Sequence, residues 1–170
     1  MRENDRELIP LDVAGVRRHL PAEDLVVLLH DPESRLVLPI VVGSAEATSI
    51  AVAVEGVVPL RPLTHDLLCS VIEATGNSVD HVEITQLVDG VFHAALVLAS
   101  GIRVDSRASD AIGVAVRTGS PVLCAAEVLA LAGGETSPGD EDHEVEKFRE
   151  FLESVEPEDF EGAEGGEPSP

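Results

Sequence analysis

The sequence predicts an α+β fold, with mixed, largely antiparallel sheets of hairpins and a meander packed around buried helices. Three observations lead there. Short apolar runs are joined by tight polar turns, Asp31-Pro32-Glu33-Ser34 and Asp89-Gly90, which are hairpin signals. Three apolar segments of helical length, at 45–55, 64–75 and 110–118, each stop at a glycine: Gly56, Gly76 and Gly119. The core must be aliphatic, because 44% of the residues are hydrophobic but only 2% are aromatic, with no Trp or Tyr.

Taken in order, residues 1–9 are polar. Strands are expected at Leu11–Arg18, Leu25–Leu29 and Leu36–Val42, the last two forming a hairpin. Pro39 cannot donate to a ladder, so the third strand lies at an edge or carries a bulge. A helix follows from Ala45 to Glu55, capped by Ser44, with Glu46 in its first turn. The next helix runs from Thr64 to Thr75, with Thr64 as its capping hydroxyl and Asp66 in its first turn. Val79–Val88, Val91–Ala99 and Ile102–Ser106 form an antiparallel meander that feeds a buried helix at 110–118, with Ser109 as N-cap. A strand at Pro121–Cys124 and a helix at Ala126–Ala132 complete a body of residues 1–133.

From residue 134 the composition turns to Gly, Pro, Ser and acids, as in a linker. Val145, Phe148, Leu152 and Val155 then share one helical face, so an amphipathic helix within 134–160 is expected to dock on something. Residues 161–170 are low-complexity and expected to be disordered.

The formal charge of −21 divides unevenly: residues 1–133 carry 9 Arg against 18 acids, and residues 134–170 carry the larger share, −12. An acidic body opposes polyanion binding by simple electrostatics. Every basic residue of that body is Arg, the side chain suited to bidentate phosphate or carboxylate contacts. Cys69 and Cys124 lie in apolar segments and read as buried free thiols in a reducing, cytoplasmic setting. No apolar run is long enough to span a bilayer, and the first residues lack a signal peptide's apolar stretch. No Walker motif, Gly-rich phosphate loop or zinc spacing occurs.

Two stretches share one grammar of Arg, hydroxyl and Asp at a helix start: Arg61-Pro-Leu-Thr-His-Asp-Leu67 and Asp105-Ser-Arg-Ala-Ser-Asp-Ala-Ile112. They resemble the two signature segments of the bifunctional nuclease domain family. Leu38-Pro-Ile-Val-Val-Gly43, Asp89-Gly-Val-Phe92 and Val145-Glu-Lys-Phe-Arg-Glu-Phe-Leu152 are also similar to bacterial members, so the likeness runs from about Leu11 to Phe160. The resemblance implies a single mixed domain, a homodimer, and cleavage of RNA and DNA. One departure is Ala108, where the second signature usually has Pro.

Phosphodiester cleavage needs an activated nucleophile, stabilised phosphoryl oxygens and a proton for the leaving oxygen. His65 is suited to acid–base work, because the ordinary histidine pKa lies near neutrality. Arg61, Arg103 and Arg107 are candidate phosphate clamps. Asp66, Asp105, Asp110 and Glu46 are candidates to orient His65 or to hold a divalent metal ion. Helix capping alone also explains Glu46, Asp66 and Asp110, and the arginines would pair with such acids in any fold. His81 and His93 lie in strands without metal-like spacing and read as structural. Two functions stay open: a nuclease, or a non-catalytic dimeric module that binds a small anion or a protein partner.

Overall fold

A computed structural model describes residues 6–19 and 22–135; the expected helix and tail beyond 135 lie outside the described residues. In chain order the elements are β1 (Leu8–His19), β2 (Asp24–His30), β3 (Leu36–Val42), α1 (Ser44–Val54), α2 (Thr64–Ala74), β4 (Val79–Val88), β5 (Val91–Leu98), β6 (Arg103–Arg107), α3 (Ala108–Thr118), β7 (Val122–Ala125), α4 (Ala126–Ala132) and β8 (Gly134–Glu135). The α+β class is as the sequence predicts.

The strands form one sheet in the order β6-β5-β4-β7-β1-β2-β3-β8. All described pairings are antiparallel except β4 with β7. β1 joins the two halves of the sheet: Leu8–Leu11 pair with β7, and Asp12–His19 pair with β2. Its ladder shifts at Val13/Gly15, where Gly15 has φ +115°, a left-handed backbone suited to glycine. The β4–β5 hairpin turns on Asp89 and Gly90, both at positive φ (49° and 79°), as a two-residue hairpin loop requires. Beyond Val37, no described strand pairs with the outer side of β3, so Pro39 falls on an edge. β8 left no sequence signal; its two residues pair with Leu36 and Val37.

α3 lies at the centre, packed against α1 and α2 and against β4 and β5. Ile112, Val114, Ile50, Val82, Ile84, Leu29 and Leu38 are fully buried. Both cysteines are free. Cys124 is buried, and burial pushes its thiol up to about 12; Cys69 is half-buried. Among the described residues no helix is long and apolar enough to cross a membrane.

The three expected hydroxyl caps are corrected, by one position at Ser44 and Thr64 and by two at Ser109. The N-caps are Gly43, Leu63 and Arg107, and none makes a side-chain cap bond. Ser44 and Thr64 are first helical residues, and Ser109 lies inside the first turn. The reason is that α1 starts one residue and α3 two residues before the expected positions, whereas α2 starts at Thr64 as expected and so has Leu63 before it as N-cap. Arg107 is both the last strand residue and an extended N-cap (φ −68°, ψ 148°), so β6 passes into α3 with no loop between them. Ala108 therefore holds the first helical position, where proline is favoured in other helices; here the chain makes the turn without it. The Leu63 N–H is bonded by the Oδ2 of Asp66 at 2.7 Å, so the acid does the capping that the hydroxyl does not.

Candidate functional site

α2 inverts the usual rule of burial. Its only buried residue is His65, whereas Leu67 and Val71 are 58% and 50% exposed. A helix normally turns apolar side chains inward, so something other than area burial holds this one. His65 enters a cleft between α1 and α3, and both its ring nitrogens find partners. Nδ1 is 2.8 Å from the Oγ of Ser49 on α1. Nε2 is 3.2 Å from the Oδ1 of Asp110 on α3. The ring lies flat against Gly113: a Cβ there would come within 2.8 Å of Cε1 and Nε2. Glycine costs a helix interior about 1 kcal/mol relative to alanine, and at 113 its missing side chain is the space the imidazole occupies.

The partners suit a neutral ring with its proton on Nε2. Asp110 as a carboxylate only accepts, so Nε2 carries a proton toward it. Arg117 Nη2 donates to Ser49 Oγ at 3.0 Å, which uses one of its two lone pairs and leaves the serine O–H free to donate to Nδ1. Arg117 anchors the same region widely. Its Nε donates to Asp66 Oδ1 at 2.6 Å, Nη1 to the Gly113 carbonyl at 2.9 Å, and Nη2 also to the Ser49 carbonyl at 3.0 Å. Its side chain is 8% exposed. One guanidinium thus ties α1, α2 and α3 together beneath the histidine.

On the outer side sits Arg107, 64% exposed. Its Nε and Nη2 donate to the two carboxylate oxygens of Asp110 at 2.6 and 2.9 Å, and Nη2 donates to Glu46 Oε1 at 3.0 Å. The chain of contacts runs Glu46–Arg107–Asp110–His65–Ser49–Arg117–Asp66 without a gap. Hydrogen bonds from Arg107 hold the Asp110 carboxyl below its ordinary range, with burial opposing and His65 assisting. Burial works against ionisation of Asp66, but the bonds from Arg117 and the Leu63 N–H outweigh it, and its pKa is lowered. Asp110 and Glu46 raise the pKa of Arg107, so it stays charged.

The structure therefore brings Glu46, His65, Asp66, Arg107 and Asp110 into one network, and leaves three of the named candidates outside it. Arg103 lies on the opposite face of the sheet. Strand alternation turns Val82 and Ile84 toward the core and His81 and Glu83 away from it. There Arg103 grips Glu83 with both terminal nitrogens at 2.8 and 2.6 Å, and His81 joins through Nε2 at 2.9 Å. The Arg103 bonds chiefly lower the Glu83 carboxyl to about 2. Asp105 pairs with Ala95, which pairs with Glu83, so it belongs to that outer face and is exposed. Arg61 is exposed in the loop before α2, held by no hydrogen bond or ion pair to a described residue.

Three members of the network carried no motif: Ser49, Gly113 and Arg117. Ser49 is hidden in an apolar helix. A signal did exist for the other two, since Asp110, Gly113 and Arg117 are spaced i, i+3, i+7 and so share one helical face. A divalent ion held by the protein alone needs several donors together. Among the described residues no three His, Cys, Asp or Glu side chains are grouped to hold one, and Glu46 and Asp110 both spend oxygens on Arg107.

The geometry joins the two segments singled out in the sequence, and comparison with known proteins gives them a family. The family model for the bifunctional nuclease domain matches residues 27–137. Two uncharacterized proteins of Mycobacterium tuberculosis, MT1877 and Rv1829, are each 41% identical over 156 residues, spanning 87% of this chain and 95% of the relative. The matched span takes in α1, α2 and α3, and with them every residue of the network from Glu46 to Arg117. The chain belongs to the bifunctional nuclease domain family.

Proposed function

We propose that this protein is a nuclease that cleaves phosphodiester bonds in RNA and DNA at the Arg107–Asp110–His65 cluster. Family membership supports the class of reaction. The observation that carries the site is α2: it buries a histidine hydrogen-bonded at both nitrogens and leaves Leu67 and Val71 outside. A sequence that breaks the burial rule at one polar residue marks a place maintained for something other than packing.

In this reading Arg107 holds a non-bridging phosphate oxygen. Asp110, backed by His65, takes the proton of the attacking water. A proton from the His65–Asp110 pair then returns to the leaving oxygen, so the pair ends the cycle as it began. Ser49 and Arg117 are positioning residues, since they act through His65. A homodimer forms part of the proposal, supported by the exposed apolar side chains of Val57, Val58, Leu60, Leu67 and Val71. Sedimentation giving only a 17.9 kDa monomer at micromolar protein would count against the dimer.

The test is cleavage of labelled RNA and DNA by rigorously purified protein, with and without chelator. His65→Ala and Arg107→Ala are each expected to slow cleavage at least tenfold, because positioned acid–base groups typically contribute ~10²–10⁴. Arg107→Lys should rescue incompletely, since lysine lacks the planar fork. The competing reading, a binding module without chemistry, draws on one specific observation: three carboxylates face two guanidiniums, and all of them are already paired. Folded His65→Ala and Arg107→Ala proteins that cleave at the parent rate would leave that module as the better account.

A further inference from the structure

Arg107 has five N–H donors, and their use is uneven. The edge formed by Nε and Nη2 is filled by both oxygens of Asp110. The end-on edge formed by Nη1 and Nη2 is only half filled, by a single bond from Nη2 to Glu46 Oε1 at 3.0 Å. Among the described residues nothing accepts from Nη1. The guanidinium is 64% exposed, so this end-on edge is where an oxyanion from solvent would arrive. A phosphate prefers two parallel N–H donors on one edge, and on this edge one of the two places is taken by a carboxylate of this chain.

We infer that Glu46 gates Arg107: its carboxylate stands where a phosphate oxygen would sit, and a nucleic-acid phosphate binds the end-on edge by displacing it. The inference rests on the phosphate-binding role proposed for Arg107. The two acids on Arg107 differ in how firmly they are held. Asp110 makes two bonds to Arg107 and a third to His65. Glu46 has one, and it reaches Arg107 from the first turn of α1. It is the partner that yields, while Asp110 keeps the guanidinium aimed.

A second observation concerns how Glu46 comes to be there. Gly43 is the N-cap of α1, and a Cβ built on it would run into Glu46 Oε2. The Gly43 backbone is extended (φ −70°, ψ 162°), a conformation alanine adopts freely. No turn therefore demands glycine at this position. What glycine provides is room for the Glu46 carboxylate to fold back over the helix start and reach Arg107. Alanine at 43 would push the flexible Glu46 side chain aside and leave the backbone alone, so it should open the gate with both charged residues still in the sequence.

Anisotropy titration of a fluorescein-labelled single-stranded oligonucleotide with cleavage-resistant phosphorothioate linkages tests this. Glu46→Ala and Gly43→Ala should each bind about two- to fivefold more tightly than the parent, the range of an exposed ion pair. Glu46→Ala placed on Arg107→Ala should give no such gain. Glu55→Ala removes the same charge at the far end of α1 and should leave binding unchanged. Equal tightening by Glu55→Ala would overturn the gate, because a general charge effect would then suffice. So would unchanged or weaker binding by folded Glu46→Ala while the parent still binds and cleaves; that result leaves the nuclease reading intact. No binding by the parent or any variant would overturn both.

Discussion

Replacing Gly113 by alanine sets two physical effects of opposite sign against each other. In a helix interior the change is worth about 1 kcal/mol of stabilisation from backbone entropy alone. In α3 the new Cβ would lie 2.8 Å from His65 Cε1 and Nε2 and 2.9 Å from Cδ2, closer than carbon atoms approach. The ring has little freedom to move, since Ser49 and Asp110 hold it from both sides. Overpacking of this kind costs roughly 1–3 kcal/mol, so Gly113→Ala should lower stability by about 0–2 kcal/mol, where propensity alone predicts a gain. In a chain of this size that is a fall of up to roughly 8 °C in Tm. The two assays are thermal unfolding and the ¹⁵N imidazole resonances of His65, which should shift as the Nε2–Asp110 bond breaks. Cleavage should fall with it, toward the level of His65→Ala. A variant that is more stable than the parent by about 1 kcal/mol, with unchanged His65 signals, would refute the argument that Gly113 exists to seat the ring.

Arg117→Met keeps the apolar bulk and removes the guanidinium that joins three helices. It strands Asp66 and the Ser49 carbonyl, and since Asp66 is 30% exposed the loss should be about 2–3 kcal/mol, at the lower end for a broken buried pair. An unmoved denaturant midpoint would show the network to be ornamental. The outer-face pairs predict a pH window. The Glu83 carboxyl is lowered from 4.5 to about 2, so its contribution is fully present above about 4.5 and is lost as the pH falls toward 2. For His81, burial favours the neutral ring, but bonds to Asp80 and Glu83 prevail and raise its pKa above 6.5, so its contribution is present below 6.5 and fades as the pH rises through the raised value. The stability gap between the parent and a Glu83→Gln/His81→Gln double variant should therefore be widest between pH 4.5 and 6.5. A gap that stays constant from acid to alkaline pH would contradict this.

Most of the elements can be read directly from the chain, because their causes are local. Alternating apolar residues, the Asp89-Gly90 turn, and glycines after 55, 75 and 118 act within a few residues of where they stand. The family was legible for the same reason, since its two signature segments are continuous stretches of chain. The starts of α2 and α4 fall where expected, and those of α1 and α3 lie one and two residues earlier, because a hydroxyl is a good cap only if the backbone turns there. At Arg107 the strand continued one residue further than propensity suggests.

Which charged residues meet depends instead on packing between distant elements. Arg103 and Arg107 are four residues apart and read alike, yet they serve opposite faces of the sheet. Alternation along β6 keeps Arg103 on the outer face with Glu83, and at Arg107 the strand ends and the helix begins, so that side chain turns to Glu46 and Asp110. Glu46, Ser49, His65 and Arg117 come from three helices, and no spacing in the chain encodes their proximity. They meet because α3 is apolar enough to be buried among α1, α2 and the sheet, and its one polar face, Asp110–Gly113–Arg117, has to find donors, acceptors and a flat ring on the helices packed against it.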